Sequence, residues 1–315
     1  MTPPEQHDRP LSGSNGSQGV WHDDSTDKVS TESSRAVAAV RAVDAEDATL
    51  DFAEPLAAWL AGDDWVTRIR HVKEMTDQYG KGLISDVTAR CIAIDQAVLD
   101  ACRAGSGITQ VVLLGAGMDT RPYRLHLPGV AWFEVDVPAI SYLKRQRIAQ
   151  APAHLRPYTV ARTRCLEQVP LDLARSLDQL RPMLIARGFD AQAPVLYVLE
   201  GLVYYLSKPQ NHDLFDQLPA APGSQALVSC IPAALRAYVN DPAVQERVPR
   251  FRVIAPSWQT DLETFRETLG NRWRITEEVN LFDHAERNGR RLARDPEIDR
   301  EPRTVAESYL VLKAC

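Results

Sequence analysis

A short apolar run ends on two glycines in Leu113-Leu114-Gly115-Ala116-Gly117-Met118-Asp119-Thr120. Glycines at this spacing let a backbone turn tightly and come close to a ligand. A dinucleotide-binding fingerprint would place a third glycine where Thr120 stands. Its absence weakens the case for NAD or FAD, whose pyrophosphate lies against that turn. A nucleoside ligand without phosphate meets no such objection.

The next apolar run closes on Phe133-Glu134-Val135-Asp136, about twenty residues further on. An acid at this point can accept both hydrogen bonds of a ribose diol. Alternation puts Glu134 and Asp136 on one side of a strand, so periodicity does not choose between them, although Asp136 lies nearer the carboxyl end. Asp172-Leu173 follows a third run. A carboxylate there could accept from an adenine amine while Leu173 packs on the ring; an ordinary turn aspartate is the alternative. Glu200 follows Tyr197-Val198-Leu199. A carboxylate so placed must find a partner or shift its pKa. Gly201 then allows a close backbone approach. S-adenosylmethionine (SAM), with a sulfonium and an ammonium, would supply the missing charge, and its amino-acid end suits the glycine turn.

These residues need a scaffold. Buried strands are expected at 111–114, 130–135, 166–171, 195–199 and 226–231, with later strands at 273–276 and 309–312. Helical segments separate them. Ser207 and Gln210 have capping-box spacing, as do Thr260 and Glu263. Strands alternating with helices predict an α/β fold with a mainly parallel sheet, ligands lying at the carboxyl ends of its strands. Ahead of the first strand run three helical stretches, the third carrying Val87, Cys91, Ile94, Val98 and Cys102 on one face. Residues 1–34 are rich in Ser, Gly, Asp and Pro and are expected to form a flexible tail, and 35–315 are expected to form the α/β domain.

Composition narrows the classes. The formal net charge is −6, which argues against a broad nucleic-acid footprint. Cys91, Cys102, Cys165, Cys230 and Cys315 are scattered without a C-x-x-C pair, so neither a metal site nor a disulfide framework is signalled. The sequence has no apolar run of about 20 residues and no signal-peptide pattern, so a cytoplasmic location away from membranes is expected.

Three ordered runs, 111–121, Phe133-Glu134-Val135-Asp136-Val137-Pro138 and Glu200-Gly201-Leu202-Val203-Tyr204-Tyr205-Leu206, resemble the leucine carboxyl methyltransferase family. The similarity is strongest to its bacterial branch, which includes tetracenomycin-type polyketide O-methyltransferases, and it covers roughly residues 35–315. The resemblance implies a class I methyltransferase fold with seven strands, the last antiparallel, and a helical lid around 233–257. It implies SAM as cofactor and O-methylation of a small-molecule carboxylate or hydroxyl. By motif, Gly115, Ala116 and Gly117 would meet the methionine end, Asp136 the ribose, Asp172 and Leu173 the adenine, and Glu200 the cofactor beside the fourth strand. Arg90, in Thr88-Ala89-Arg90-Cys91, would pair with the SAM carboxylate; from its residues alone it reads as a solvated helix arginine. Tyr205 would border the acceptor pocket. Ser34 and Arg35 stand where phosphatase-modifying members carry a lysine that touches SAM. Three other readings are a non-catalytic SAM-binding protein, an NAD-dependent oxidoreductase, and an RNA- or protein-modifying methyltransferase, which the acidic net charge disfavours.

Overall fold

Nine strands are present in the computed structural model, whose described residues are 24–76, 83–247, 257–292 and 304–315. In chain order they are β1 (Leu83–Ile84), β2 (Gln110–Leu114), β3 (Leu127–Asp136), β4 (Thr163–Pro170), β5 (Leu196–Leu199), β6 (Gln225–Cys230), β7 (Trp273–Asn280), β8 (Arg291–Leu292) and β9 (Ser308–Ala314). Seven form one sheet in the order β4-β3-β2-β5-β6-β9-β7. Its pairings are parallel except where β9 runs antiparallel between β6 and β7. The remaining two, β1 and β8, make a small parallel pair that nothing in the sequence announced.

The central strands are apolar for a reason of burial. Every residue of β2 and β5 is buried, so neither face of these strands can tolerate an unpaired polar group. One face of the sheet packs Val112, Leu114, Phe133, Tyr197 and Leu199 against Phe215, Leu214 and Phe265. The other packs Val111, Leu113, Trp132 and Val198 against Ala93, Ile94 and Val98. The last three lie on helix α4 (Asp86–Ala101), whose N-cap Ser85 accepts from Thr88 N; α1 (Asp24–Asp44), α2 (Ala57–Ala61) and α3 (Asp63–Thr76) precede it.

The expected tail of residues 1–34 requires correction. Helix α1 begins at Asp24, and Glu32 in it accepts from Trp65 Nε1 at 2.8 Å. Polar composition hid a helix whose anchor is a distant tryptophan. Residues 1–23 lie outside the described residues. The second capping box is also misplaced. Asp261 caps the helix 262–266 by accepting from Thr264 N, while the Thr260 hydroxyl donates to Leu206 O at 2.5 Å. The first box, Ser207 with Gln210, forms as expected. In the segment expected to form a lid, 233–257, helices cover 233–240 and 242–247, and residues 248–256 lie outside the described residues.

Strand order reverses at β2. The chain steps outward through β3 and β4, then returns to place β5 on the other side of β2. The crevice at the carboxyl ends of β2 and β5 is therefore the switch point, where α/β sheets bind ligands.

Candidate cofactor and active site

The glycine turn sits at the end of β2. Gly115 and Gly117 both have positive φ, +70° and +48°, which disfavours any other residue. A Cβ on Gly115 would stand 3.3 Å from Leu202 Cδ1, and one on Gly117 3.2 Å from Ser34 Cβ. So Ser34 of α1 is indeed beside the turn. Gly115 N and Ala116 N donate to Val135 O, tying the turn to β3.

Asp136 completes this corner. Gly117 N donates to its Oδ2 at 2.6 Å and Val137 N to its Oδ1 at 2.7 Å. Burial pushes its pKa up to about 6, against the opposing pull of those two hydrogen bonds. Glu134, which alternation left as an alternative, is buried and receives Lys144 Nζ at 2.6 Å. The acid that faces the turn is Asp136. Nearby, Asp172 accepts from Ala174 N at 2.9 Å, an ordinary turn contact, with Arg175 Nε at 3.5 Å. Leu173 packs partly buried on the core.

Glu200, at the end of β5, differs from expectation. Its countercharge comes from the chain itself: Arg90 Nε at 3.0 Å and Arg121 Nη2 at 2.6 Å. Arg90 is likewise buried rather than solvated, and its Nη1 donates to Glu307 at 2.6 Å. The pairs extend outward. Arg121 holds Asp95 at 2.7 Å and also pairs with Asp119, while Arg124 meets Glu54 at 3.1 Å and Arg41 meets Glu54 at 3.4 Å. Burial opposes ionisation of Glu200, yet Arg121, Arg90 and Arg41 hold its carboxyl down at about 2. Burial raises the pKa of Glu307, with Arg90 opposing.

Beyond Gly201 lies an aromatic wall. A Cβ at Gly201 would be 3.4 Å from Tyr204 Oη and 3.9 Å from Arg90 Nη2. The Tyr204 ring packs on Tyr205, centroids 4.8 Å apart, and edge-on to Trp258 at 5.5 Å. The indole N–H of Trp258 is buried with no hydrogen-bond partner. Tyr205 is thus beside this corner, half-buried, while Tyr204 is the more enclosed ring.

The structure brings Arg90, Gly115, Gly117, Asp136, Glu200 and Tyr205 to neighbouring positions at one end of the sheet. Sequence reasoning missed Arg121, although it stood inside the quoted motif, because nothing local says it points at Glu200. It also missed Glu307 and Trp258, which arrive from the far end of the chain.

These residues fit an adenosyl sulfonium. Each Asp136 oxygen accepts one backbone N–H and retains a lone pair for a hydroxyl donor. Two of Arg90's nitrogens are engaged by carboxylates, and Nη2 lies toward Gly201. Among the described residues no cluster of His, Cys, Asp or Glu could hold a metal ion, and no helix is long and apolar enough to cross a membrane.

A relative from Mycobacterium avium (strain 104), provisionally named an S-adenosyl-L-methionine-dependent methyltransferase, is 32% identical over 227 residues, covering 67% of this chain and 70% of its own. One of the same provisional name from Mycobacterium sp. (strain KMS) is 33% identical over 238 residues, covering 69% and 71%. Among solved structures, a DUF574 family protein from Streptomyces avermitilis MA-4680 superposes with a TM-score of 0.53 at 17% identity, covering 90% of this chain and 99% of that one. A provisionally named methyltransferase from Thermobifida fusca YX gives 0.53 at 16%, covering 94% and 99%. These likenesses show the class I methyltransferase fold. The family model for leucine carboxyl methyltransferase matches residues 34–219, and the chain belongs to that family of SAM-dependent methyltransferases.

Proposed function

We propose that the protein transfers the methyl group of SAM to an oxygen of a small molecule of the secondary-metabolite kind, a carboxylate in preference to a hydroxyl. The observation that carries the preference is the state of Glu200. Held at about 2 between Arg121 and Arg90, it is a poor proton acceptor near neutral pH. Burial likewise pushes the Tyr204 hydroxyl well above its ordinary pKa, which keeps it a neutral phenol. A carboxylate acceptor, with a pKa of roughly 4, needs no base because it is already ionised. A phenol with a pKa of about 10 would need one.

SAM, when bound, supplies an electrophilic methyl group on its sulfonium. The chain's own task is to position and to exclude water. In this reading Asp136 accepts the ribose hydroxyls and the turn Gly115-Ala116-Gly117 admits the methionine portion. Asp172 and Leu173 border the adenine. Arg90 donates its remaining N–H groups to the cofactor carboxylate, a task that suits a guanidinium fork. Glu200 keeps Arg90 in place. Tyr204, Tyr205 and Trp258 form the wall against which a flat acceptor lies.

The test uses SAM labelled in the methyl group, incubated with the protein and a library of carboxylic acids and phenols, alongside small-molecule extracts of the host. Mild alkali releases methanol from a methyl ester and leaves an aryl methyl ether intact. Label that alkali converts to volatile methanol is the expected result. Alkali-stable label would move the acceptor to a hydroxyl, and SAM binding without any transfer would leave a non-catalytic SAM-binding protein.

A further inference from the structure

A groove of about 410 Å³ lies on the outer side of α4, away from the switch point. None of Gly115, Asp136, Glu200 or Tyr205 lines it. Its volume falls in the range of small-molecule sites, roughly 300–1,000 Å³. The apolar part is made by Phe52, Ile84, Ile92, Leu99 and Leu125. Leu99 is 37% exposed, so the groove leaves a large aliphatic side chain open to solvent. The polar end is made by His284, Asn288 and Arg290, on and just after the helix 281–287.

The charges here are unevenly matched. Asp95 is engaged by Arg121 and Arg124, and Arg124 by Glu54 as well as Asp95. Asp51 is exposed at the mouth. Arg290 differs: its Nη1 is buried and has no hydrogen-bond partner. Arg290 also lines the groove, and among the described residues no carboxylate pairs with it, so an anion is the ligand that complements its guanidinium. His284 offers no competing charge near neutral pH, because burial lowers its pKa and Arg287 and Arg290 lower it further.

We propose that this groove is a second ligand site for a small hydrophobic carboxylate, its apolar body lying on Phe52, Ile92 and Leu99 and its carboxylate on Arg290. The site is independent of the methyl-transfer reading. Its outer wall nevertheless includes Asp95 and Arg124, and Asp95 holds the Arg121 that pairs with Glu200. Two links of ion pairing join the groove to the cofactor corner.

The probe is 1-naphthoate, measured by equilibrium dialysis against the full-length protein, with 1-naphthalenemethanol as its uncharged counterpart. Naphthoate is expected to bind more tightly than the alcohol. Arg290→Gln should weaken naphthoate about tenfold and leave the alcohol within about twofold, the loss of one charge-assisted contact. Leu99→Glu, at an exposed position, should weaken both. Calorimetry with SAM on each variant, showing unchanged affinity, establishes that the fold is intact. Equal binding of acid and alcohol, naphthoate affinity untouched in both variants, or displacement of naphthoate by SAM would each overturn the proposal.

Discussion

The strands on either side of β2 both end in an acid, and the two acids live in opposite circumstances. Asp136, ending β3, accepts only backbone N–H groups, and burial lifts its pKa to about 6. Glu200, ending β5, is clasped by two guanidiniums and held at about 2. A carboxylate without a cation gains from a ligand that brings hydroxyl donors. One already saturated by cations gains little and serves to fix those cations. On the proposed reading, two similar residues at equivalent ends of one sheet carry different duties, and their partners, rather than their type or place in the strand, decide which.

The comparison breaks most visibly through stability. Glu200→Ala would leave Arg90 and Arg121 buried without their shared partner, a loss of about 3–5 kcal/mol. Equilibrium denaturation in urea should register it; a variant as stable as wild type would show the network to be ornamental. Titration sharpens the contrast next. Glu200 has a depressed pKa, so its contribution is full above the ordinary 4.5 and fades as pH falls toward 2. Asp136 has a raised pKa, so the folded state holds its proton more tightly, and that contribution fades as pH rises from 3.8 through about 6. Ribose hydroxyls favour the ionised form. SAM affinity should therefore weaken about tenfold per pH unit below 6 as the carboxylate protonates. Calorimetry between pH 5 and 8 checks this, and a flat profile would remove Asp136 from the ribose site. The smallest effect is expected at the aromatic wall. Tyr205→Phe should leave SAM affinity within about twofold and change turnover with the acceptor, which steady-state kinetics would separate; a normal kcat would take the hydroxyl out of the reaction.

Much of the fold was legible because burial writes itself into local pattern. Val111 to Leu114 and Leu196 to Leu199 are apolar throughout because helices cover both faces of those strands. The turn at Gly115 and Gly117 was legible because positive φ and close neighbours demand glycine. The Ser207 box was legible because its two hydrogen bonds span three residues. What stayed hidden depends on distance along the chain. Arg90 reaches Glu200 across 110 positions and Glu307 across 217, and no spacing rule announces either. The apolar run before Glu200 shows that its carboxylate needs a partner, but not that Arg90 and Arg121 of the chain itself are there to pair with it. The start of α1 was missed for the same reason, since Glu32 and Arg35 are fixed by Trp65 and Ala61 O of the following helices.

Whether Asp136 and the glycine turn hold the cofactor is decided by calorimetric titration of SAM into wild type and Asp136→Ala at pH 7.5. Loss of the ribose contacts should cost about 1–3 kcal/mol, a fall of roughly 10- to 100-fold in affinity, while the unliganded variant unfolds at nearly the wild-type temperature. Equal affinity in the two proteins would mean that the corner formed by the glycine turn and Asp136 does not hold the cofactor.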